Sequence, residues 1–352
     1  MKNSNFVRSD LHIHLDEAQG KEQEAIKDIL QRAQKLEVKA LSFVLFNRID
    51  HFEENSQLHK MHKTGEIEKY FSGKIVSGVE MICRMNGTEI SDSGFNFKKY
   101  ISHVILYDYD PTILSKTDFF AGGQAKKSRL DLLELLEKTK ALGLTVPSID
   151  YFNPEDKHFT TPLYNYIYEH RDSNPINAQF VKDYPNKSSM QRYAVEDPEG
   201  ILFFQRRSYP TYSEVVEMAK VSGAKIVLAH PAKHNDLFDT FEYIRAMLDI
   251  VPGSFWGLEG QYMLNSKEET KMICAFAKVR GLKVTGGSDF KYYVSEKNPE
   301  GKMYFIENDK KMFYVPRPSF LIKESIDGEP DPHIKIEKSV LDELKDFREY
   351  YK

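Results

Sequence analysis

Only two cysteines, Cys83 and Cys274, occur among the 352 residues, which excludes a disulfide framework and thiolate-rich metal sites. Both read as small buried apolar residues rather than reactive thiols. An excess of one charge is also missing. The 49 Lys and Arg stand against 53 Asp and Glu, a formal net charge of −4, so nothing draws the whole chain to nucleic acid or to anionic lipid. No window approaches the roughly 18 apolar residues of a spanning helix, and residues Met1 to Asp16 show no basic stretch leading into an apolar one. The expectation is a cytoplasmic protein with no membrane partner and no stable duplex nucleic-acid partner. What is present is 41% apolar residue content over a length that suits two domains, or one large α/β barrel carrying an insertion. With sulfur excluded, any metal must be held by imidazole and carboxylate.

Apolar runs alternate with helical patterns, as a mainly parallel sheet with crossover helices requires. The strand runs are Asp10–Leu15, Ala40–Phe46, Lys74–Met81, His103–Tyr107, Lys225–Ala229, Phe255–Leu258 and Leu282–Thr285. Helical periodicity covers Glu22–Leu36, Ser213–Ser222, Asp236–Asp249, Lys267–Arg280 and, at the end, Ser339–Tyr351. The stretch from about Lys116 to Gly200 differs: a helix over Leu130–Leu142 is followed by Pro147, Pro154, Pro162, Pro175, Pro185 and Pro198 among many Asn, Asp and Tyr. It reads as an insertion, either a small helical lid or a surface excursion. The expected organisation is a barrel in two parts, 1–115 and 201–352, with an inserted subdomain at 116–200.

His12 and His14 lie two apart in Asp10-Leu11-His12-Ile13-His14, so on a strand both imidazoles share one face. Taken alone, they are as readily two ordinary polar strand residues. Glu80, His230 and Asp289, however, each stand at or just past the C-terminal end of an apolar strand run. That end carries the active site in parallel α/β barrels, because strand ends and the following loops converge there. His103 begins its run, and on this rule it remains a plain polar residue.

At these residues the chain resembles the polymerase and histidinol phosphatase (PHP) superfamily of metal-dependent phosphoesterases. The matching segments are Asp10-Leu11-His12-Ile13-His14, Gly78-Val79-Glu80, His103-Val104-Ile105-Leu106, Ala229-His230-Pro231, Gly257-Leu258-Glu259 and Gly287-Ser288-Asp289, in the family's order. The insertion, with Arg207 to Ser213 and the following Ala229-His230-Pro231, is similar to the branch acting on nucleotides and short oligonucleotides. The resemblance implies a distorted seven-stranded (β/α)7 TIM-like barrel with up to three divalent ions at its mouth. His12, His14, Glu80 and Asp289 would hold the first ion, and Glu80 would bridge to a second held also by His103 and His230. A shared carboxylate suits two ions about 3.5–4 Å apart. Glu259 is then a residue that orients a ligand rather than binding an ion.

Two positions depart from the family. Its third ion usually takes a His from a Thr-Asp-His sequence after the second strand and another two residues past the final Asp, whereas here stand Phe46-Asn47 and Lys291. The expectation is a dinuclear site of zinc, manganese or iron, with the Lys291 ammonium in place of a third cation. The alternatives are that Lys291 points to solvent, or that His51 restores a third site, with Asn47 vestigial and Asp16 or Glu17 supplying a carboxylate.

The expected chemistry is phosphoester hydrolysis by a metal-bound hydroxide, with Lys291, Arg206 and Arg207 as phosphate contacts and Arg129 and Arg192 as further candidates. The substrate would be small and phosphorylated, a phosphomonoester, nucleotide or short oligonucleotide. An amidohydrolase-like hydrolase and a degenerate metal-binding barrel remain as alternatives. The other histidines, His59, His62, His158, His170, His234 and His333, read as solvated surface residues.

Overall fold

A computed structural model describes residues 5–15, 22–85, 101–153, 159–197, 199–233, 237–262, 265–295, 298–307, 311–315 and 334–351. The seven apolar runs all form strands, with ends displaced by a few residues: β1 (Phe6–His14), β2 (Ala40–Val44), β3 (Lys74–Arg84), β4 (Ile101–Tyr107), β5 (Lys225–Leu228), β6 (Phe255–Tyr262) and β7 (Lys283–Gly287). An eighth strand, β8 (Phe290–Ser295), follows β7 after Ser288 and Asp289 and pairs in parallel with β1 at Ile13 and His14. The order β8-β1-β2-β3-β4-β5-β6-β7 makes a nearly closed, eight-stranded barrel-like sheet in a mixed α/β chain. The antiparallel β9 (Asn298–Glu307) and β10 (Lys311–Val315) extend it beyond β8.

The expected parallel sheet is broken at one place. β4 runs antiparallel to both β3 and β5, with Ile82 opposite His103 and Arg84 opposite Ile101. The first residues of β4 therefore lie at the rim where β3 ends. That reversal explains why a rule based on C-terminal strand ends passes over His103.

Helices cover the strands through apolar stripes. α1 (Glu22–Lys35) buries Ala25, Ile26, Ile29, Leu30 and Ala33, a helical repeat that faces the barrel. The segment between β4 and β5 contains α2 (Gln124–Ala141), α3 (Thr160–Glu169) and α4 (Pro175–Asp183). Leu135, Leu163, Ile167, Met190 and Phe204 form an apolar cluster there, distinct from the one beneath the strands. α5 (Tyr212–Ser222) begins with Thr211 and Glu214 capping each other's backbone N–H and ends at the left-handed Gly223 (φ 72°). α6 (Leu237–Ile250) and α7 (Lys267–Val279) complete the outer layer, and no helix among the described residues is long and apolar enough to cross a membrane.

The helix expected over Ser339–Tyr351 is instead two short pieces, Lys338–Asp342 and a tight turn over Phe347–Tyr351. Asp346 breaks it, because its carboxylate accepts the N–H groups of Ile75 (3.2 Å) and Arg348 (3.0 Å). This tail straps the base of the barrel. β11 (Lys335–Glu337) pairs antiparallel with Phe6–Arg8, Asp108 accepts from the Lys345 N–H at 3.1 Å, and Phe347 is fully buried.

The ring closes where β7 approaches β1, and only glycine permits it. A Cβ on Gly287 would stand 2.2 Å from the His12 Cβ and 2.8 Å from a Glu259 carboxylate oxygen. Gly287→Ala is expected to destabilise the fold by about 1–3 kcal/mol through overpacking. Urea denaturation measures this, and an unchanged midpoint would show that the two strands separate without cost.

Candidate metal centre

Strand alternation sets the first half of the site. His12 and His14 leave β1 on one face, while Leu11 and Ile13 pack into apolar core. Glu80 comes from β3, His103 from the rim end of β4, His230 from the residues after β5, and Asp289 from the break between β7 and β8. The structure brings all six together. His12 Nε2, His14 Nε2, an oxygen of Glu80 and one of Asp289 form one group, and Glu80, His103 and His230 form another, with donor atoms in each within 4.8 Å of one another.

Glu80 belongs to both groups, and its two oxygens divide between them. Oε2 lies 3.1 Å from His12 Nε2 and 3.0 Å from His14 Nε2. Oε1 lies 2.7 Å from His103 Nδ1 and 3.0 Å from His230 Nε2. Asp289 Oδ1 completes the first group at 3.2 Å from His14 and 3.7 Å from His12.

Glu259 orients this arrangement. Its Oε1 faces His12 Nδ1 at 2.9 Å and its Oε2 accepts the His230 N–H at 2.8 Å. With a carboxylate as partner, Nδ1 of His12 carries a proton, which leaves Nε2 as the atom that faces the cluster. Asp289 is fixed from its other side: Oδ2 accepts from Lys233 Nζ at 2.5 Å and from the Tyr262 hydroxyl at 3.1 Å. Fully buried Asp10 accepts the N–H groups of His12 (3.2 Å) and Ser288 (2.9 Å), tying β1 to the Asp289 turn, and burial pushes its pKa up to about 7.

The electrostatics call for positive charge. Glu80 and Glu259 are fully buried and Asp289 nearly so. Burial alone would raise the Glu80 carboxyl, yet His12 and His103 hold it well below its ordinary value. Burial disfavours a charged His12, but Glu259 and Glu80 outweigh that and hold its pKa well above the usual imidazole range. His230 goes the other way, lowered to about 4 by burial and by Lys233, so it is a neutral donor. The Nε2 atoms of His12 and His14 face each other at 3.1 Å, close enough for both to serve one cation. The donor set fits one: a tetrahedral ion with bonds of about 2.1 Å needs donors about 3.4 Å apart.

Two of the six residues sit on strained backbone. His230 (φ 27°) and Asp289 (φ 52°) lie at positive φ, which costs about 1–3 kcal/mol for a non-glycine residue. In both cases the turn aims a side chain back over the strand end.

Other expected residues stay out of the cluster. Asn47, also at positive φ (52°), uses its side chain on the Ile82 backbone, accepting from N at 2.8 Å and donating to O at 3.4 Å. His51 joins neither ligand group. Arg207 turns to Glu134 at 2.7 Å, and Arg206 lies buried beside Tyr209, in a cleft considered below. Asp16, Glu17 and the side chain of Lys291 lie outside the described residues, as do the side chain of Arg192 and His158, His234 and His333. His59 is a correction: it is buried, accepts the Asn55 N–H at 2.9 Å and packs on Tyr351, because its helix turns it inward. Sequence reasoning missed Lys233 and Tyr262, and marked Phe46 only as a departure after the second strand. The signal for Lys233 was its place three residues after His230; Tyr262 carried none beyond its strand.

No protein-family model and no curated protein matches the chain. Among solved structures it is similar to an amidohydrolase from Chromobacterium violaceum, determined with bound sulfate and no metal, at 15% identity, covering 83% of this chain and 89% of that one with a TM-score of 0.50. It is also similar to a protein from Bifidobacterium adolescentis named for a proposed metal-dependent phosphoesterase activity, at 16% identity, 80% and 86% coverage and a TM-score of 0.47. At these identities the likeness to the first concerns the fold.

Glu259→Gln is expected to weaken metal binding about 10–100-fold, because the amide no longer fixes the His12 tautomer as the carboxylate does. Competition against a chelating dye measures it, and wild-type affinity in the variant would remove Glu259 from this role.

Proposed function

We propose that the protein is a metal-dependent hydrolase of the PHP type, cleaving a phosphoester of a small phosphorylated substrate with a pair of divalent zinc, manganese or iron ions. The observation that carries this reading is the division of the buried Glu80 carboxylate, one oxygen toward His12 and His14 and the other toward His103 and His230. A single carboxylate between two imidazole sets is what a two-ion centre requires of its bridge.

When bound, such ions lower the pKa of water to about 7 and neutralise phosphoryl oxygens. The chain's own residues supply positioning. His12, His14 and Asp289 hold one side of the centre, His103 and His230 the other, and Glu259 locks an imidazole and a backbone N–H at once. Lys233 and Tyr262 hold Asp289 through the oxygen that faces away from His14, and the ammonium adds positive charge beside the reacting group.

Two ions rather than three follow from Phe46. Its ring stacks on His14 at 4.4 Å between centroids and meets His103 edge-on at 6.0 Å, so an apolar side chain stands at the end of the second strand, where the family carries a histidine. Asn47 beside it is committed to the Ile82 backbone. The helical segment 116–200 is read as an inserted cap beside the mouth, and a nucleotide or short oligonucleotide as the substrate class.

Metal analysis of purified protein is expected to give about two ions per chain, and three tightly bound ions would contradict the reading of Phe46. Glu80→Ala is expected to lose both ions and to lower hydrolysis by about a thousandfold or more. A panel of phosphomonoesters, nucleotides, oligonucleotides and carboxamides, assayed with Mn²⁺ or Zn²⁺, tests the reaction. Turnover of amides alone would replace the phosphoesterase by an amidohydrolase, and bound metal with no turnover would leave a metal-stabilised scaffold.

A further inference from the structure

A cleft lies beside the rim of β3 and β4, lined by Arg84, Ile101, Glu196, Phe203, Arg206 and Tyr209. Arg206 is its unusual member. It is only 9% exposed, and its guanidinium lies near the rings of Phe159 and Tyr209, 5.5 and 5.3 Å from their centroids. Nη1 donates to the Tyr209 hydroxyl at 3.2 Å, but the buried Nε and Nη2 have no hydrogen-bond partner among the described residues. The nearby carboxylates supply charge, Glu196 as an ion pair, but no hydrogen bond to this edge. Glu196 stands 3.6 Å from Nη2, beyond hydrogen-bond reach, and its Oε1 accepts from Gln191 at 2.8 Å. Asp131 accepts the backbone N–H groups of Arg207 and Ser208 at 2.9 and 2.8 Å. A buried guanidinium edge left without acceptors is costly, and that edge is the fork that matches the oxygens of a phosphate or carboxylate.

The strands connect this cleft to the candidate metal centre. Glu80, Ile82 and Arg84 share one face of β3, and on the antiparallel neighbour His103 stands opposite Ile82 and Ile101 opposite Arg84. Arg84 and Ile101 line the cleft, so the face that carries Glu80 and His103 runs on into it. At about 3.4 Å per residue, the cleft begins about 7 Å past His103 and about 14 Å past Glu80. The segment that brings Arg206 there is pinned to the same strand end, where Arg84 donates from N to Pro210 O at 2.8 Å and from Nε to Tyr209 O at 3.1 Å.

We propose that this cleft is a second oxyanion subsite, in which the Nε and Nη2 edge of Arg206 receives another phosphate of the same substrate while the scissile one lies at Glu80. The inference rests on the phosphoesterase reading and narrows it. The preferred substrate is elongated and carries a second phosphate on the order of 10–15 Å from the bond that is cleaved, as a short oligonucleotide does and a simple phosphomonoester does not.

Binding of inorganic phosphate to the metal-loaded full chain, followed by calorimetry, separates this subsite from the metal centre. Arg206→Gln is expected to bind one phosphate fewer than the wild type, whether or not phosphate also binds at the metals. Glu196→Gln, which removes the competing carboxylate while leaving the guanidinium in place, is expected to tighten that site about threefold to tenfold. In turnover, Arg206→Gln should lower the kcat/KM ratio of a phosphorylated dinucleotide over a phosphomonoester about tenfold or more. The same phosphate stoichiometry in wild type and Arg206→Gln, or no gain in affinity from Glu196→Gln, would overturn the subsite. Failure of hydrolysis with the stoichiometric difference intact would overturn the reaction and leave the subsite standing.

Discussion

The structure depends on one buried carboxylate. Glu80 has no contact with solvent, yet both its oxygens are committed, each to a different pair of imidazoles. A charged group at that depth is tolerable only when opposite charge or protonated partners surround it. Four strands and two turns must therefore arrive in register before the site is electrostatically satisfied. Folding and function thus place the same demand on the chain, and Gly287 and Asp10 show how closely they are coupled. The glycine lets β7 touch His12, and the carboxyl of Asp10 ties His12 to the turn carrying Asp289.

How much of this was legible in the sequence differs by residue. Strand alternation placed His12 and His14 on one face, and the ends of three apolar runs pointed to Glu80, His230 and Asp289, although β3 itself continues past Glu80 to Arg84. His103 needed either family resemblance or knowledge of strand direction, because β4 is reversed and presents its beginning at the mouth. Direction is set by pairing partners far away in the chain and leaves no local trace. The same holds for Asn47, which looks like a displaced ligand but serves as a backbone clip on β3. Lys233 was overlooked because a lysine in a loop is most often solvated, and only the fold shows Asp289 within its reach. The split C-terminal helix failed for a local reason: Asp346 offers the backbone better hydrogen-bond partners than the helix does.

Rigidity is distributed unevenly around the site. His230 and Asp289 both occupy positive φ, and each has a partner on β6, Glu259 on the N–H of one and Tyr262 on the carboxylate of the other, with Lys233 from the turn after β5 joining Tyr262. β6 supplies Glu259 and Tyr262, so a strand with no residue in either ligand group governs the geometry of both. Substitutions in β6 will act on the centre without touching it.

The strap across the base has a consequence for how the molecule is made. Lys335–Glu337 pair with Phe6–Arg8, and Asp346 holds the first residues of β3, so contacts at opposite ends of the chain fasten the floor of the barrel. Residues near position 6 leave the ribosome hundreds of codons before their partners, and such distant pairings are slow to form. During synthesis β1 must wait with its lower edge open, and an unpaired strand edge is a template for wrong pairing until the tail arrives.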